Sequence, residues 1–145
     1  MRIKIIAPGK LKEPYLRKAQ EYYSSILSKG IDFEIIEVQD ERNDISEAMV
    51  KKAEGERILK KIRPDQYVIS LAIDGKPVTA DELSRKLGRL TSRDNKEIVF
   101  VIGGSLGLSD EVLSRSDLRL SFSPMTFPHQ LMRIMLLEMI SSLHL

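Results

Sequence analysis

The 145-residue sequence contains no cysteine, which excludes disulfides and thiolate metal ligands at once. Its only two histidines, His129 and His144, lie fifteen positions apart, and no helix carries histidines at metal-ligand spacing. No metal is expected. Long hydrophobic runs are also missing: the most apolar stretch, Leu131 to Ile140, is interrupted by Arg133 and Glu138 and falls short of a bilayer span. The opening Met-Arg-Ile-Lys-Ile-Ile-Ala-Pro-Gly is too short and too interrupted for a secretory signal, so a cytosolic protein with no membrane association is expected. Neither a GxGxxG dinucleotide fingerprint nor a Gly-Lys-Ser/Thr phosphate loop occurs. No serine or paired-carboxylate arrangement suggests covalent catalysis or hydrolysis. Such a chain suits a reaction with a pre-activated donor, which asks mainly for positioning.

What is there is an ordinary globular composition, 42% hydrophobic and 30% charged, with a net charge of +2 that permits RNA without requiring it. The length predicts a single domain over residues 1–145. Short β-branched runs alternate with amphipathic helix-length segments, which predicts an α/β fold, a mostly parallel sheet flanked by helices. Strands are expected at Ile3–Ala7, Phe33–Val38, Tyr67–Ile73, Ile98–Ile102 and Leu118–Phe122. Pro14 sits in the first turn of the first helix, which carries Leu16, Ala19, Tyr23, Ile26 and Leu27 on one face and stops at Gly30. The second helix is expected to run to about Ile62. Asp74-Gly75-Lys76-Pro77 reads as a turn, Thr79 with Glu82 as a capping box, and Ser109 as the cap of a short helix. The last helix, from Pro128, is apolar on nearly every face, which predicts burial partly by a second subunit and hence a homodimer.

In open α/β sheets ligands bind beyond the carboxyl ends of the strands. Three such ends stand out: Leu71 to Ile73, the glycine-rich Ile102-Gly103-Gly104-Ser105-Leu106-Gly107, and the loop from Phe122 to Phe127. Glycines there let a backbone approach a ligand closely, although Gly103-Gly104 also reads as a plain strand-to-helix turn. His129 is a candidate general base or a helix-start hydrogen-bonder. Arg133 is a candidate phosphate holder, or a partner for Glu138 or for a carboxylate across an interface. Lys10-Leu11-Lys12 and Lys51-Lys52 read as solvated faces.

The run Phe100-Val101-Ile102-Gly103-Gly104-Ser105-Leu106-Gly107-Leu108, followed by Leu120-Ser121-Phe122-Ser123-Pro124-Met125-Thr126-Phe127-Pro128-His129-Gln130-Leu131-Met132-Arg133, closely resembles the ribosomal RNA large subunit methyltransferase H family. Gly9-Lys10-Leu11-Lys12-Glu13 and Glu54-Gly55-Glu56-Arg57-Ile58-Leu59 also look like that family, and the likeness runs to about Glu138. The resemblance implies a SPOUT methyltransferase fold with a C-terminal trefoil knot and a homodimer. It implies methyl transfer from S-adenosylmethionine to N3 of a pseudouridine in large-subunit ribosomal RNA, on the assembled ribosome. By the same likeness Leu71, Gly103, Phe122, Ser123, Pro124, Met125, Thr126 and Phe127 would hold the cofactor. His129 or Arg133 would position the base or stabilise its developing charge. The sequence departs from the family pattern after Glu138, where Met139 to Leu145 stand in place of an aromatic, an arginine and a Tyr-His tail. Pro124 stands where Lys or a small residue is common, and the segment around Asn43 is short. By the same resemblance the tail would complete the partner's active site, so cofactor binding is expected to outlast catalysis. The alternative function is a catalytically silent cofactor- or ribosome-binding dimer; a nucleotide binder built on Gly103-Gly104 fits less well, because Leu106 and Leu108 intervene where phosphate sites place hydroxyls.

Overall fold

The computed structural model describes residues 1–41 and 44–143; Asn43 and His144 lie outside the described residues. The elements alternate strictly: β1 (Arg2–Pro8), α1 (Pro14–Leu27), β2 (Asp32–Val38), α2 (Glu47–Leu59), β3 (Tyr67–Pro77), α3 (Ala80–Ser92), β4 (Ile98–Val101), α4 (Asp110–Arg115), β5 (Leu118–Ser121) and α5 (His129–Ser142). The five strands form one sheet in the order β2-β1-β4-β3-β5, and every pairing is parallel. All carboxyl ends therefore open on one edge. No helix among the described residues is long and apolar enough to cross a membrane.

Strand alternation divides the core into two layers. Ile3, Ile5, Ile69, Ile98, Phe100 and Leu120 pack on one face against Leu83, Leu87, Leu136, Leu137 and Ile140 of α3 and α5. Ile6, Val68, Val99 and Val101 pack on the other against Ile58 of α2 and Val112 of α4. Burial on both faces is why these strands read as continuous apolar runs in the sequence. Helix starts follow their cap residues. Ser46 accepts from the Met49 amide at 3.2 Å, Ser109 from Val112 at 3.3 Å, and Thr79 and Glu82 make the expected reciprocal box.

Three local expectations change. The Asp74–Pro77 turn lies within β3, which pairs with Leu120 at Leu71 and again at Lys76, so Ala72 to Gly75 bulge out between. Gly75 permits this, since a β-carbon there would sit 2.7 Å from the Arg119 carbonyl oxygen. The helix α2 stops at Leu59 rather than Ile62, the chain continuing as turns with Lys61 donating to the Ile58 carbonyl. Leu11, between two exposed lysines, is buried in the core. The helix α5 buries Leu136, Leu137 and Ile140 within the chain, while Leu131 stays 39% exposed.

At the amino edge of the sheet, Glu97 enters just before β4 and is buried. Its carboxylate meets Arg63 at 2.6 Å, Lys4 at 3.2 Å and Arg2 at 3.8 Å. Burial pushes this carboxyl up, but the Arg63 hydrogen bond, with the Gln66 amide and the Lys4 ammonium close by, outweighs it and holds the group at about 2, below its ordinary 4.5. A depressed folded value means stability that is present above pH 4.5 and lost as pH falls toward 2. Glu97→Gln is expected to remove at most about 3 kcal/mol near neutrality, and to flatten the acid limb of stability in urea unfolding series between pH 5 and 2.

Candidate active site

The loops at the carboxyl edge enclose a cavity of about 600 Å³, within the range of small-molecule and cofactor sites. Three chain segments line it. Leu71, Ala72 and Ile73 come from β3 and its bulge, Ile102 to Leu108 from the loop after β4, and Phe122, Ser123, Met125, Thr126 and Phe127 from the loop after β5. Pro128, His129 and Met132 close it at the start of α5. The walls are mainly apolar, with backbone groups of the glycine loop among them, which suits a flat heterocycle held by main-chain hydrogen bonds.

The glycine loop is folded tightly on itself. Gly104 and Gly107 form an antiparallel bridge, and the Gly107 amide donates to the Gly104 carbonyl at 3.1 Å. Gly107 takes a φ of +90°, which side-chain-bearing residues rarely adopt. A β-carbon on Gly103 would lie 2.8 Å from the Gly107 carbonyl carbon, so only glycine closes this turn without displacing the backbone. The loop after β5 is tied to β3 by the Ser121 hydroxyl, which faces the Ile73 carbonyl at 3.0 Å and that of Ser123 at 3.2 Å. The Ser123 hydroxyl in turn accepts from the Met125 amide at 3.0 Å.

Of the cofactor candidates, Leu71, Gly103, Phe122, Ser123, Met125, Thr126 and Phe127 line this one cavity. Pro124 is exposed and stands outside the lining. His129 faces the cavity from the first turn of α5. Burial lowers the His129 pKa from its ordinary value, with the Arg133 and Lys12 charges adding to the effect and Asp40 opposing it. The neutral imidazole is thus favoured, able to donate from one nitrogen and accept at the other.

Arg133 is placed differently from the phosphate-holding expectation. Its side chain is only 2% exposed and does not line the cavity. It donates to Glu37 at 2.6 Å, to Gln20 at 3.3 Å and to the Gly9 carbonyl at 3.0 Å. Glu138, the local alternative, instead accepts from Tyr23 and raises that phenol's pKa. Arg133 thereby locks the start of α5 to the ends of β1 and β2. Gln130 adds a second tie: it accepts from the Lys12 amide and donates to the Lys10 carbonyl, both at 3.1 Å.

A second, more polar cavity of about 580 Å³ adjoins the first. Gly104, Ser105 and His129 line both, and Lys12, Asp40, Glu41, Glu54 and Gln130 belong to the second. Sequence reasoning passed over Glu54, because Glu54-Gly55-Glu56 within a helix gives no sign that one carboxylate is buried and the other exposed. The signal available was Gly55, whose missing side chain lets α2 pack against Ser109 and Val112.

Comparison with known proteins agrees over most of the chain. The family model described as "Predicted SPOUT methyltransferase" matches residues 1–141. The chain is 50% identical to the ribosomal RNA large subunit methyltransferase H of Clostridioides difficile (strain 630), over 97% of this chain and 91% of that protein. Proteins of the same name from Exiguobacterium sp. (strain ATCC BAA-1283 / AT1b) and Clostridium kluyveri are 52% and 49% identical over the same shares.

The tie at the start of α5 yields a test of the scaffold. Arg133→Met is expected to destabilise the fold by about 2–4 kcal/mol, measured by urea unfolding at pH 7, because it removes one partner of a largely buried ion pair.

Proposed function

The chain belongs to the SPOUT methyltransferase family, and from that premise we propose that it methylates N3 of a pseudouridine in large-subunit ribosomal RNA using S-adenosylmethionine. The observation that carries this reading is the convergence of three strand-end loops on one cavity of about 600 Å³ with apolar walls and a glycine-lined backbone edge. Leu71, Gly103, Phe122, Ser123, Met125, Thr126 and Phe127 hold the donor in this reading, the apolar side chains flanking its adenine. When bound, the donor supplies an electrophilic methyl group on a sulfonium that leaves as a neutral thioether.

The protein's part is alignment and handling of charge. His129, kept neutral by burial, faces the cavity from the first turn of α5 and donates a hydrogen bond to the acceptor base as negative charge develops on it. Arg133 acts through His129, fixing the turn of helix that carries it, and is a positioning residue in this scheme. The proposal extends to the C-terminal trefoil knot, to action on the assembled ribosome in the cytoplasm, and to a homodimer. Ile73, Leu131 and Met125, at 55%, 39% and 66% exposure, are large apolar side chains at or near the cavity that a second subunit would cover. Sedimentation is accordingly expected to give about twice the 16.5 kDa chain mass.

Titration calorimetry with S-adenosylmethionine, run beside tritium transfer to ribosomes lacking the modification, tests the reading. Binding with transfer is the expected result. Binding without transfer would identify a silent cofactor-binding dimer, and absence of binding would overturn the cofactor site. Gly103→Ala is expected to weaken cofactor affinity tenfold or more in the same titration, because its β-carbon displaces the Gly107 backbone. His129→Ala is expected to lower the transfer rate by about 10²-fold while changing cofactor affinity little.

A further inference from the structure

The polar cavity beside the donor site holds a buried carboxylate whose pairing in the fold is one-sided. Glu54 is only 5% exposed. One carboxylate oxygen, Oε2, accepts from the Glu41 amide at 3.0 Å. The other, Oε1, is buried and has no hydrogen-bond partner among the described residues. A buried carboxylate oxygen left without a donor is costly, and a donor arriving from the cavity would relieve it. Oε1 lies against Gly104, where a β-carbon would sit 2.7 Å from it. Gly104 belongs to the wall shared by the two cavities, so the free oxygen abuts the boundary between donor space and polar space.

The surroundings select the occupant. Asp40 and Glu41 share the polar cavity with Glu54, and their charges would repel a phosphate. Among the described residues no group of three ligands is arranged to hold a metal ion. A neutral planar ring bearing an N–H donor suits one acceptor oxygen in a cavity that His129 also lines.

Building on the function proposed above, we propose that the polar cavity receives the acceptor pyrimidine and that Glu54 Oε1 takes the proton from its reacting ring nitrogen. In the step, the ring nitrogen's electron pair forms the new N–C bond to the methyl carbon. The S–C bond breaks with its pair going to sulfur, and the ring N–H proton passes to Glu54 and on to solvent. His129 and Glu54 then divide the labour: the imidazole donates to the ring oxygen, the carboxylate receives the proton. Burial raises the Glu54 pKa, with Asp40 and Glu41 adding to the rise and Arg57 and the Glu41 amide opposing it, which makes it a better base near neutral pH than an exposed glutamate. The charged and titratable groups facing it are Asp40, Glu41 and Arg57, with Lys12 and His129 across the same cavity.

Glu54→Gln keeps the shape and an oxygen for the Glu41 amide, and removes the base. With folding verified by thermal melting, it is expected to bind S-adenosylmethionine within twofold of the parent chain. Its kcat on ribosomes lacking the modification is expected to fall at least 100-fold with KM little changed. Activity should recover toward alkaline pH, where the ring N–H ionises by itself. Transfer within threefold of the parent at every pH overturns the role of Glu54 and leaves the methyltransferase reading intact. Absence of transfer by the parent chain removes both. Loss of cofactor affinity in parallel with rate would give the carboxylate to the donor's ammonium and also overturn the proposal. Should the variant not fold, carbon NMR of the Glu54 carboxyl in the parent decides: its resonance is expected to move when pseudouridine nucleoside is added to protein saturated with S-adenosylhomocysteine, and a stationary resonance overturns the proposal.

Discussion

The geometry of the carboxyl edge depends on one buried guanidinium. Arg133 reaches from the second turn of α5 to the Gly9 carbonyl and the Glu37 carboxylate, joining the last helix to the ends of the first two strands. That contact spans nearly the whole chain, and Gly9 makes room for it by adopting a φ of +82° and donating its amide to Val38. Without the clamp the orientation of α5 would rest on nonpolar packing, which is less directional than a charge-assisted fork. With it, His129 stands at a fixed point between two cavities.

The two edges of the sheet handle charge in opposite ways. At the amino edge Glu97 is surrounded by Arg2, Lys4 and Arg63, and its ionisation is secured. At the carboxyl edge burial disfavours the ionised form of Glu54, with Asp40 and Glu41 adding to the effect and the Glu41 amide and Arg57 opposing it. Both carboxylates are buried, yet cations surround the one while Asp40 and Glu41 crowd the other. Perturbation by burial and like charge inside a cleft is the pattern that separates working groups from structural ones.

Much of the fold was legible because parallel strands buried on both faces leave unmistakable apolar runs, as at Ile98 to Val101, and because Thr79, Glu82 and Ser109 state their helix starts locally. The cavity was legible for the same reason, since strand ends fix where loops converge. What escaped was tertiary. Glu54 is buried against Gly104 of a distant loop, and Arg133 finds a carboxylate 96 positions away rather than Glu138. Pro124 was assigned by its place within a contiguous motif, and the loop turns it outward.

The bulge in β3 has a bearing on how this architecture varies. Leu71 and Lys76 both pair with Leu120, so the intervening residues are excluded from the ladder and rejoin it at the point where they left. Their number is therefore decoupled from the alignment of the sheet, provided a glycine remains to pass the Arg119 carbonyl. Segments of other lengths could be exchanged there without shifting the register of the ladder, provided one still offers Ser121 a carbonyl. The rim of the cavity thus forms a replaceable part on a fixed frame, the place where natural drift or deliberate grafting would reshape the entrance while leaving the chemistry beneath untouched.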